Sequence, residues 1–265
     1  MEIKFLGTGS AFCLNNFNSS YLITNNGKNL LFDAGTDIRF ALKESGLSYK
    51  DIDSVYISHL HADHCGGIEY LAFCSFFDPN KKKINLIGDF HILMEGWEHV
   101  WSGGLNPNSG QYINEHSLSE YFTTYYLYRR YNYIKNLIWE NLALTVVPTN
   151  HNIDNLKTFG LLIEDLSSHK RVLITSDAII DYNIVSLYDK VDVIIQDCET
   201  SSYKSGVHAH YTELRSLSER IKSKMILTHY QDNILNDDGT IQYDWKDDAR
   251  NNKFEFAVKG NSLII

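Results

Sequence analysis

The chain has little of what small secreted, fibrous or membrane-spanning proteins depend on. Its four cysteines, Cys13, Cys65, Cys74 and Cys198, are scattered and form no Cys-x-x-Cys pair. Neither a disulfide framework nor a thiolate metal site is indicated, and a reduced, cytoplasmic setting is expected. Only three prolines occur in 265 residues, and no linker, repeat or low-complexity tract breaks the chain. No apolar run is long enough to cross a membrane. Met1-Glu2-Ile3-Lys4-Phe5-Leu6 reads as a first strand rather than as a cleavable leader. Positive charge is also short, with 24 Lys and Arg against 33 Asp and Glu and a net charge of −9. That balance argues against a broad nucleic-acid face, and the basic run at 81–83 reads as a solvated turn after Asp78-Pro79-Asn80.

What is present suits one globular domain spanning 1–265, long enough to bury a full core. Alternating apolar residues predict strands at 2–6, 20–24 and 29–33, the last two joined by the hairpin turn Asn25-Asn26-Gly27. A helix at 36–46 and strands at 54–58 and 84–88 follow. Strand patterns resume at 142–147, 157–164, 171–175 and 191–195. A helix at about 212–222 and strands at 224–228, 253–258 and 261–265 complete the chain. Between about 90 and 140 lies an aromatic-rich insertion with Trp97, Trp101, Trp139, Tyr121, Tyr125, Tyr126, Tyr128, Tyr131 and Tyr133, interrupted by a loop at 102–110. Its aromatics either line a pocket or subunit interface or pack helices on the core.

The run His59-Leu60-His61-Ala62-Asp63-His64-Cys65 follows the apolar stretch 54–58 and enters Gly66-Gly67. Three imidazoles and a carboxylate at the end of a buried strand are costly to desolvate without a partner. A divalent metal resolves that cost, since neutral imidazole and carboxylate are ligands for zinc, manganese and iron. In extended chain His59, His61 and Asp63 face one side, while His64 turns aside at the start of a helix and can serve a second metal. His151, Asp177, Asp197, His210 and His229 each sit just past an apolar strand, and such ends converge on one crevice. Asp177 is the expected bridge between two metals. His59, His61 and His151 would hold one of them; Asp63, His64 and His229 would hold the other. Asp33, at the end of strand 29–33, is either a turn former or a brace for the histidine loop. His91, His99, His116 and His169 have no comparable placement.

His59-Leu60-His61-Ala62-Asp63-His64 resembles the His-x-His-x-Asp-His signature of the metallo-β-lactamase superfamily, and His151, Asp177 and His229 follow in that superfamily's order. The resemblance implies an α/β fold, an αββα sandwich of two mixed β-sheets flanked by helices, with a dinuclear site along one edge. Phe5-Leu6-Gly7-Thr8-Gly9 and Leu227-Thr228-His229-Tyr230 are similar to ribonuclease Z and its small phosphodiesterase relatives. In ribonuclease Z a carboxylate loop and a His-Ser-Thr loop together protonate the leaving group. By strand position Asp197 matches the carboxylate and His210-Tyr211-Thr212 the histidine loop, with Glu199 and His208 as the respective alternatives. Asp63 is expected as a catalytic carboxylate as well as a ligand.

The chain departs from ribonuclease Z where that enzyme handles RNA. The long arm that grips transfer RNA would lie between His151 and Asp177, where two strands and a turn leave no room. At the positions of its Pro-x-Lys-x-Arg-Asn loop stand Cys13, Asn15, Phe17 and Asn18, so the basic residues are gone. Transfer RNA is therefore not the expected substrate. The layout is most similar to small cyclic nucleotide phosphodiesterases of the phage anti-Pycsar type. That likeness implies a homodimer in the host cytoplasm, two divalent cations (zinc first, manganese as the alternative), and metal-activated hydroxide attacking a cyclic pyrimidine mononucleotide at phosphorus. The alternatives are a ribonuclease Z-like endonuclease and a lactonase or thioesterase of the same superfamily.

Overall fold

The computed structural model describes residues 1–80, 82–106, 117–130 and 133–265. In the first half of the chain are β1 (Glu2–Gly7), β2 (Ser20–Asn25), β3 (Lys28–Phe32), α1 (Ile38–Glu44), β4 (Ser54–Ile57), α2 (Ala62–Cys65), α3 (Ile68–Phe77), β5 (Ile84–Asp89), α4 (Phe90–Gly96), α5 (Ser102–Leu105), α6 (Leu118–Tyr121), β6 (Phe122–Arg130) and β7 (Tyr133–Lys135). The second half supplies β8 (Leu137–Trp139), β9 (Leu142–Thr149), β10 (Thr158–Asp165), β11 (Arg171–Ile174), α7 (Tyr182–Tyr188), β12 (Val193–Asp197), α8 (Tyr211–Leu214), α9 (Glu219–Lys222), β13 (Met225–Thr228), α10 (Tyr243–Asn251), β14 (Glu255–Phe256) and β15 (Ser262–Ile264). One sheet runs β15-β1-β2-β3-β4-β5-β6-β7 and the other β14-β13-β12-β11-β10-β9-β8. Both are mixed: β3-β4-β5-β6 and β11-β12-β13-β14 are parallel runs beside antiparallel neighbours.

The period-2 alternation of the strands produces the layers. Leu30, Phe32 and Tyr56 point between the sheets, where they meet Val146, Leu161, Ile163 and Val172. Leu31, Val55 and Ile57, one position out of phase, pack under α1 and α3. On the far sheet Leu173, Ile194 and Leu227 pack under α7, α8 and α10. Helix, sheet, sheet and helix thus stack as the αββα sandwich. The β2–β3 turn forms as its sequence demands, with Asn26 and Gly27 both left-handed.

Two sequence expectations are corrected, and of the two readings of the aromatic insertion, core packing describes its buried residues. The helix expected at 212–222 is two short helices, because Ser216 gives its hydroxyl to the Glu213 carbonyl and Ser218 begins a new helix. The loop expected from Ser102 begins instead as the helical turn α5. In the aromatic insertion Trp101, Tyr121 and Trp139 are buried; Tyr121 donates to the Leu105 carbonyl and the Trp139 indole to Ser54 Oγ. These aromatics belong to the core, and β6 extends a sheet. Lys81, residues 107–110, His116 and Tyr131 lie outside the described residues. Among the described residues no helix is long and apolar enough to cross a membrane.

Candidate metal centre and active-site cleft

Because β3 and β4 are parallel neighbours, the residues after them emerge side by side. Asp33 ends β3 in a left-handed conformation (φ 58°) and is wholly buried. Its Oδ1 accepts the Ser58 N–H at 2.8 Å; its Oδ2 accepts the Ser58 hydroxyl at 2.7 Å and lies 2.7 Å from His64 Nδ1. A carboxylate so placed orients the histidine loop, leaving His64 Nε2 free to face inward. Gly35 makes room for that loop, since a Cβ there would lie 2.3 Å from the Asp63 carbonyl oxygen. The extended chain reaches only to His61, the residue preceding α2. Helix α2 then rotates Asp63 and His64 together to one side, so Asp63 stands with His64 rather than with His59 and His61.

The second sheet delivers its residues in the same way. His151 follows β9, Asp177 follows β11, Asp197 closes β12 and His229 follows β13. Ser176 and His229 adopt φ of 54° and 61°, so the chain is bent sharply at three strand ends around the site, a conformation held by its surroundings. His151 Nδ1 faces the Val207 carbonyl at 2.7 Å, which directs Nε2 towards Asp177.

Three overlapping sets of donors share Asp177. In the first, His59, His61, His151 and Asp177 present ligand atoms within 4.8 Å of one another; in the second, Asp63, His64, Asp177 and His229 do so; the third, Asp177, Asp197, His208 and His229, overlaps the second. Asp177 Oδ1 lies 3.2 Å from His64 Nε2, and its Oδ2 lies 3.4 Å from His229 Nε2 and 3.8 Å from His59 and His151 Nε2. Burial holds His59, His61 and His229 below the usual imidazole range, which keeps them in the neutral form that binds metal. For His64 burial opposes charge, but Asp177, Asp63 and Asp33 outweigh it and raise the group well above that range. Burial likewise opposes charge on Asp177, yet His229 and His64 hold it well below the carboxylate range.

Asp63 Oδ2 and His64 Nε2 are 3.1 Å apart but unaligned, and both are buried without a hydrogen-bond partner. Orphaned donors among imidazoles and carboxylates are what a divalent cation satisfies. The residues therefore fit the metals implied by the sequence, and the arrangement is that of a metal-dependent hydrolase.

Beside this cluster Asp197 Oδ2 accepts the Ala178 N–H at 2.9 Å and faces His208 Nδ1 at 2.8 Å. Burial works against a charged His208, but Asp197 overcomes it and raises the imidazole to about 9. His208 lines a cleft of about 540 Å³ together with His61, Asp63, His151, Asp177 and His229. The expected pairing of His210 with Asp197 is absent. His210 instead caps α8, its Nδ1 2.7 Å from Thr212 Oγ1 and its Nε2 3.0 Å from the Ser201 carbonyl. The Glu199 carboxylate pairs with neither imidazole; it accepts from Ser201 Oγ and the Ser205 N–H, while the Glu199 backbone bridges to His210 through bonds to Ala209 and Tyr211. No described residue of 90–140 lines the cleft, so the pocket-lining reading of its aromatics is not met there among the described residues. Sequence reasoning missed Ser58, whose N–H and hydroxyl tie the first histidine to Asp33; a serine before a histidine carries no signal of its own.

The family described as anti-Pycsar protein Apyc1 matches residues 1–248. The chain belongs to that family. An anti-Pycsar protein Apyc1 of Bacillus phage BSP38 is 31% identical over 267 residues, covering 100% of this chain and 98% of the relative. Its counterpart in Bacillus phage 010DV004 is 34% identical over 238 residues, covering 88% and 90%. Among solved structures, the metallo-β-lactamase fold protein YhfI of Bacillus subtilis superposes with a TM-score of 0.71 at 16% identity, covering 99% of each chain. A diphosphatase of the PhnP family gives 0.71 at 16%, covering 100% of this chain and 97% of its own. The anti-Pycsar member described here thus has the metallo-β-lactamase fold.

Proposed function

We propose that this anti-Pycsar family member hydrolyses a small cyclic nucleotide, with cyclic pyrimidine mononucleotides as the leading substrates, using two divalent cations, zinc in the first instance. The observation that carries the reading is the His208–Asp197 pair at 2.8 Å, set in the same cleft as two donor sets that share Asp177. When bound, the cations supply Lewis acidity and lower the pKa of water, so that a nucleophile is available near neutral pH. His59, His61, His151 and Asp177 would hold one, and Asp63, His64, His229 and Asp177 the other. Asp63, which also lines the cleft, accepts a hydrogen bond from the attacking water and so orients it towards phosphorus.

The attacking water, acidified in this way, gives up one proton to solvent; as the resulting hydroxide adds to phosphorus, the bond from phosphorus to the ribose oxygen breaks and an alcohol departs. His208 carries a proton on Nε2 while Nδ1–H donates to Asp197, and it gives the Nε2 proton to the departing oxygen. Asp197 stays ionised, fixes the ring and stabilises its charged form. A cleft of this volume suits a mononucleotide, and the interval between His151 and Asp177 holds only β10, β11 and their short connections. Both features support a small substrate over a folded RNA. The reading includes a homodimer in the host cytoplasm, with exposed Tyr125 and Ile138 as candidate contacts; a monomer by solution scattering removes that part.

The test is incubation of purified protein with a panel of cyclic mono- and dinucleotides, an acyl-homoserine lactone and an RNA oligonucleotide, each with and without chelator. Chelator-sensitive conversion of a cyclic mononucleotide to a linear monophosphate is expected. Turnover of the lactone alone, or of RNA alone, would replace this reading.

A further inference from the structure

Glu199 is a buried carboxylate on the wall of the cleft, and neither the donor sets nor the proton-transfer pair uses it. Its contacts are all local. Oε2 accepts the Ser205 N–H at 2.9 Å, and Oε1 accepts the Ser201 hydroxyl at 2.9 Å and the Ser205 N–H at 3.2 Å. One side chain thus gathers both ends of the turn at 201–205 beneath a strap, 200–207, that leads directly into His208. Other anchors flank the turn: the Glu199 backbone bonds Ala209 and Tyr211, Asn233 holds the Thr200 carbonyl, and the Ser201 carbonyl meets His210 Nε2. At the start of the strap Thr200 gives its N–H and hydroxyl to Gln231. At its end the carbonyls of Gly206 and Val207 face Asn152 and His151. The Lys204–Glu213 ion pair lies outside, half exposed, where such pairs contribute little.

We propose that Glu199 is a positioning residue for His208, setting the strap so that the imidazole meets Asp197 and faces the cleft. This inference rests on His208 acting as the proton donor. The geometry gives the reason a carboxylate is needed. Two donors, the Ser201 hydroxyl and the Ser205 N–H, make three contacts with one side chain away from bulk water, and a carboxylate accepts both without presenting a donor of its own. Without it the 201–205 turn must find other partners, and the residue that moves with it is the one three positions on.

The test uses Glu199→Ala and Glu199→Gln in the metal-loaded full chain, alone and combined with His208→Ala. Two phosphodiesters are compared: a cyclic mononucleotide, whose leaving group is an alcohol, and bis(p-nitrophenyl) phosphate, whose leaving group needs no proton. Misplacement of a proton donor predicts that Glu199→Ala lowers kcat on the cyclic mononucleotide by about 10–100-fold, as loss of a supporting shell does elsewhere, with KM and bound metal unchanged. On the nitrophenyl ester the same variant should stay within about 2-fold, and Glu199→Gln should fall between, since its amide oxygen keeps part of the accepting role. In the His208→Ala background the Glu199 substitution should add almost nothing. Equal losses on both esters, or full additivity with His208→Ala, would overturn the proposal. If His208→Ala alone proves as active as the parent on both esters, the proton-donor reading fails separately. The His208 imidazole resonances then decide the placement: a shift in Glu199→Ala supports positioning, and an unmoved signal refutes it.

Discussion

Two histidines two residues apart compete for one role, and hydrogen bonding separates them. His208 has Asp197 at 2.8 Å and faces the cleft, whereas His210 spends both ring nitrogens on Thr212 and the Ser201 carbonyl at the start of α8. His208→Ala should therefore lower turnover of an alcohol-leaving phosphodiester by about 10²–10⁴-fold, the usual worth of a general acid, with metal content intact. His210→Ala should cost about 1 kcal/mol as a lost helix cap and leave turnover near the parent level. Steady-state kinetics beside a urea titration of each variant checks both halves, and a collapse of turnover in His210→Ala with an unaffected His208→Ala would reverse the assignment. The sequence His208-Ala209-His210 could not make this distinction, because extended chain points both imidazoles to one side. Which of them is claimed by a helix end depends on Glu213, whose carboxylate accepts the His210 N–H. The donors were more legible. Three imidazoles and a carboxylate in six positions at the end of a buried strand admit few explanations without a cation. Asp33 was half legible: its place at a strand end was visible, but its contacts with Ser58 and His64 arise only when β3 and β4 lie parallel.

Strands with clean alternation were readable to within about two residues, since two buried faces enforce the phase at every position. Elements ended by side-chain hydrogen bonds were not, and the split between α8 and α9 is one example. The turn from β10 to β11 is a case where local chemistry and register agree. Asp165 closes β10 and accepts the N–H groups of Ser167 and Ser168 at 2.8 and 3.2 Å. These bonds, Ser167 first, hold its carboxyl below the ordinary carboxylate value despite the opposing effect of burial. A group depressed in this way contributes stability that is fully present above its unfolded pKa of about 3.9 and is lost as pH falls through the lower folded value. Asp165→Ala should thus be less stable than the parent by about 1 kcal/mol at pH 7, after allowance for the solvent at the turn. That gap should hold down to about pH 5 and narrow towards pH 3. Urea midpoints of both proteins across that range measure it, and a gap that widens on acidification would show that the carboxylate is not the source.

At the scale of the whole molecule the two sheets each bring an incomplete half of one centre. The first contributes His59, His61, Asp63 and His64 from the end of β4; the second contributes His151, Asp177 and His229 from the ends of β9, β11 and β13. Neither half retains a full donor set if the sheets part, so a cation that binds the assembled cluster opposes their separation. Binding to the folded state alone stabilises by about 2.7 kcal/mol at one hundred times the dissociation constant. At about 2–4 °C per kcal/mol for a chain of this size, removal of the cations should lower the melting temperature by about 5–10 °C. The drop should exceed that of Asp177→Ala, which lacks the carboxylate common to the donor sets and so has less bound metal to lose. Melting curves of metal-loaded and chelator-dialysed protein, run with elemental analysis of the same samples, make the comparison. A melting temperature indifferent to chelator, in protein shown to have held metal beforehand, would mean that the cations bind without clamping the sheets. The shared centre would then be a site that the fold carries rather than one that helps to hold it together.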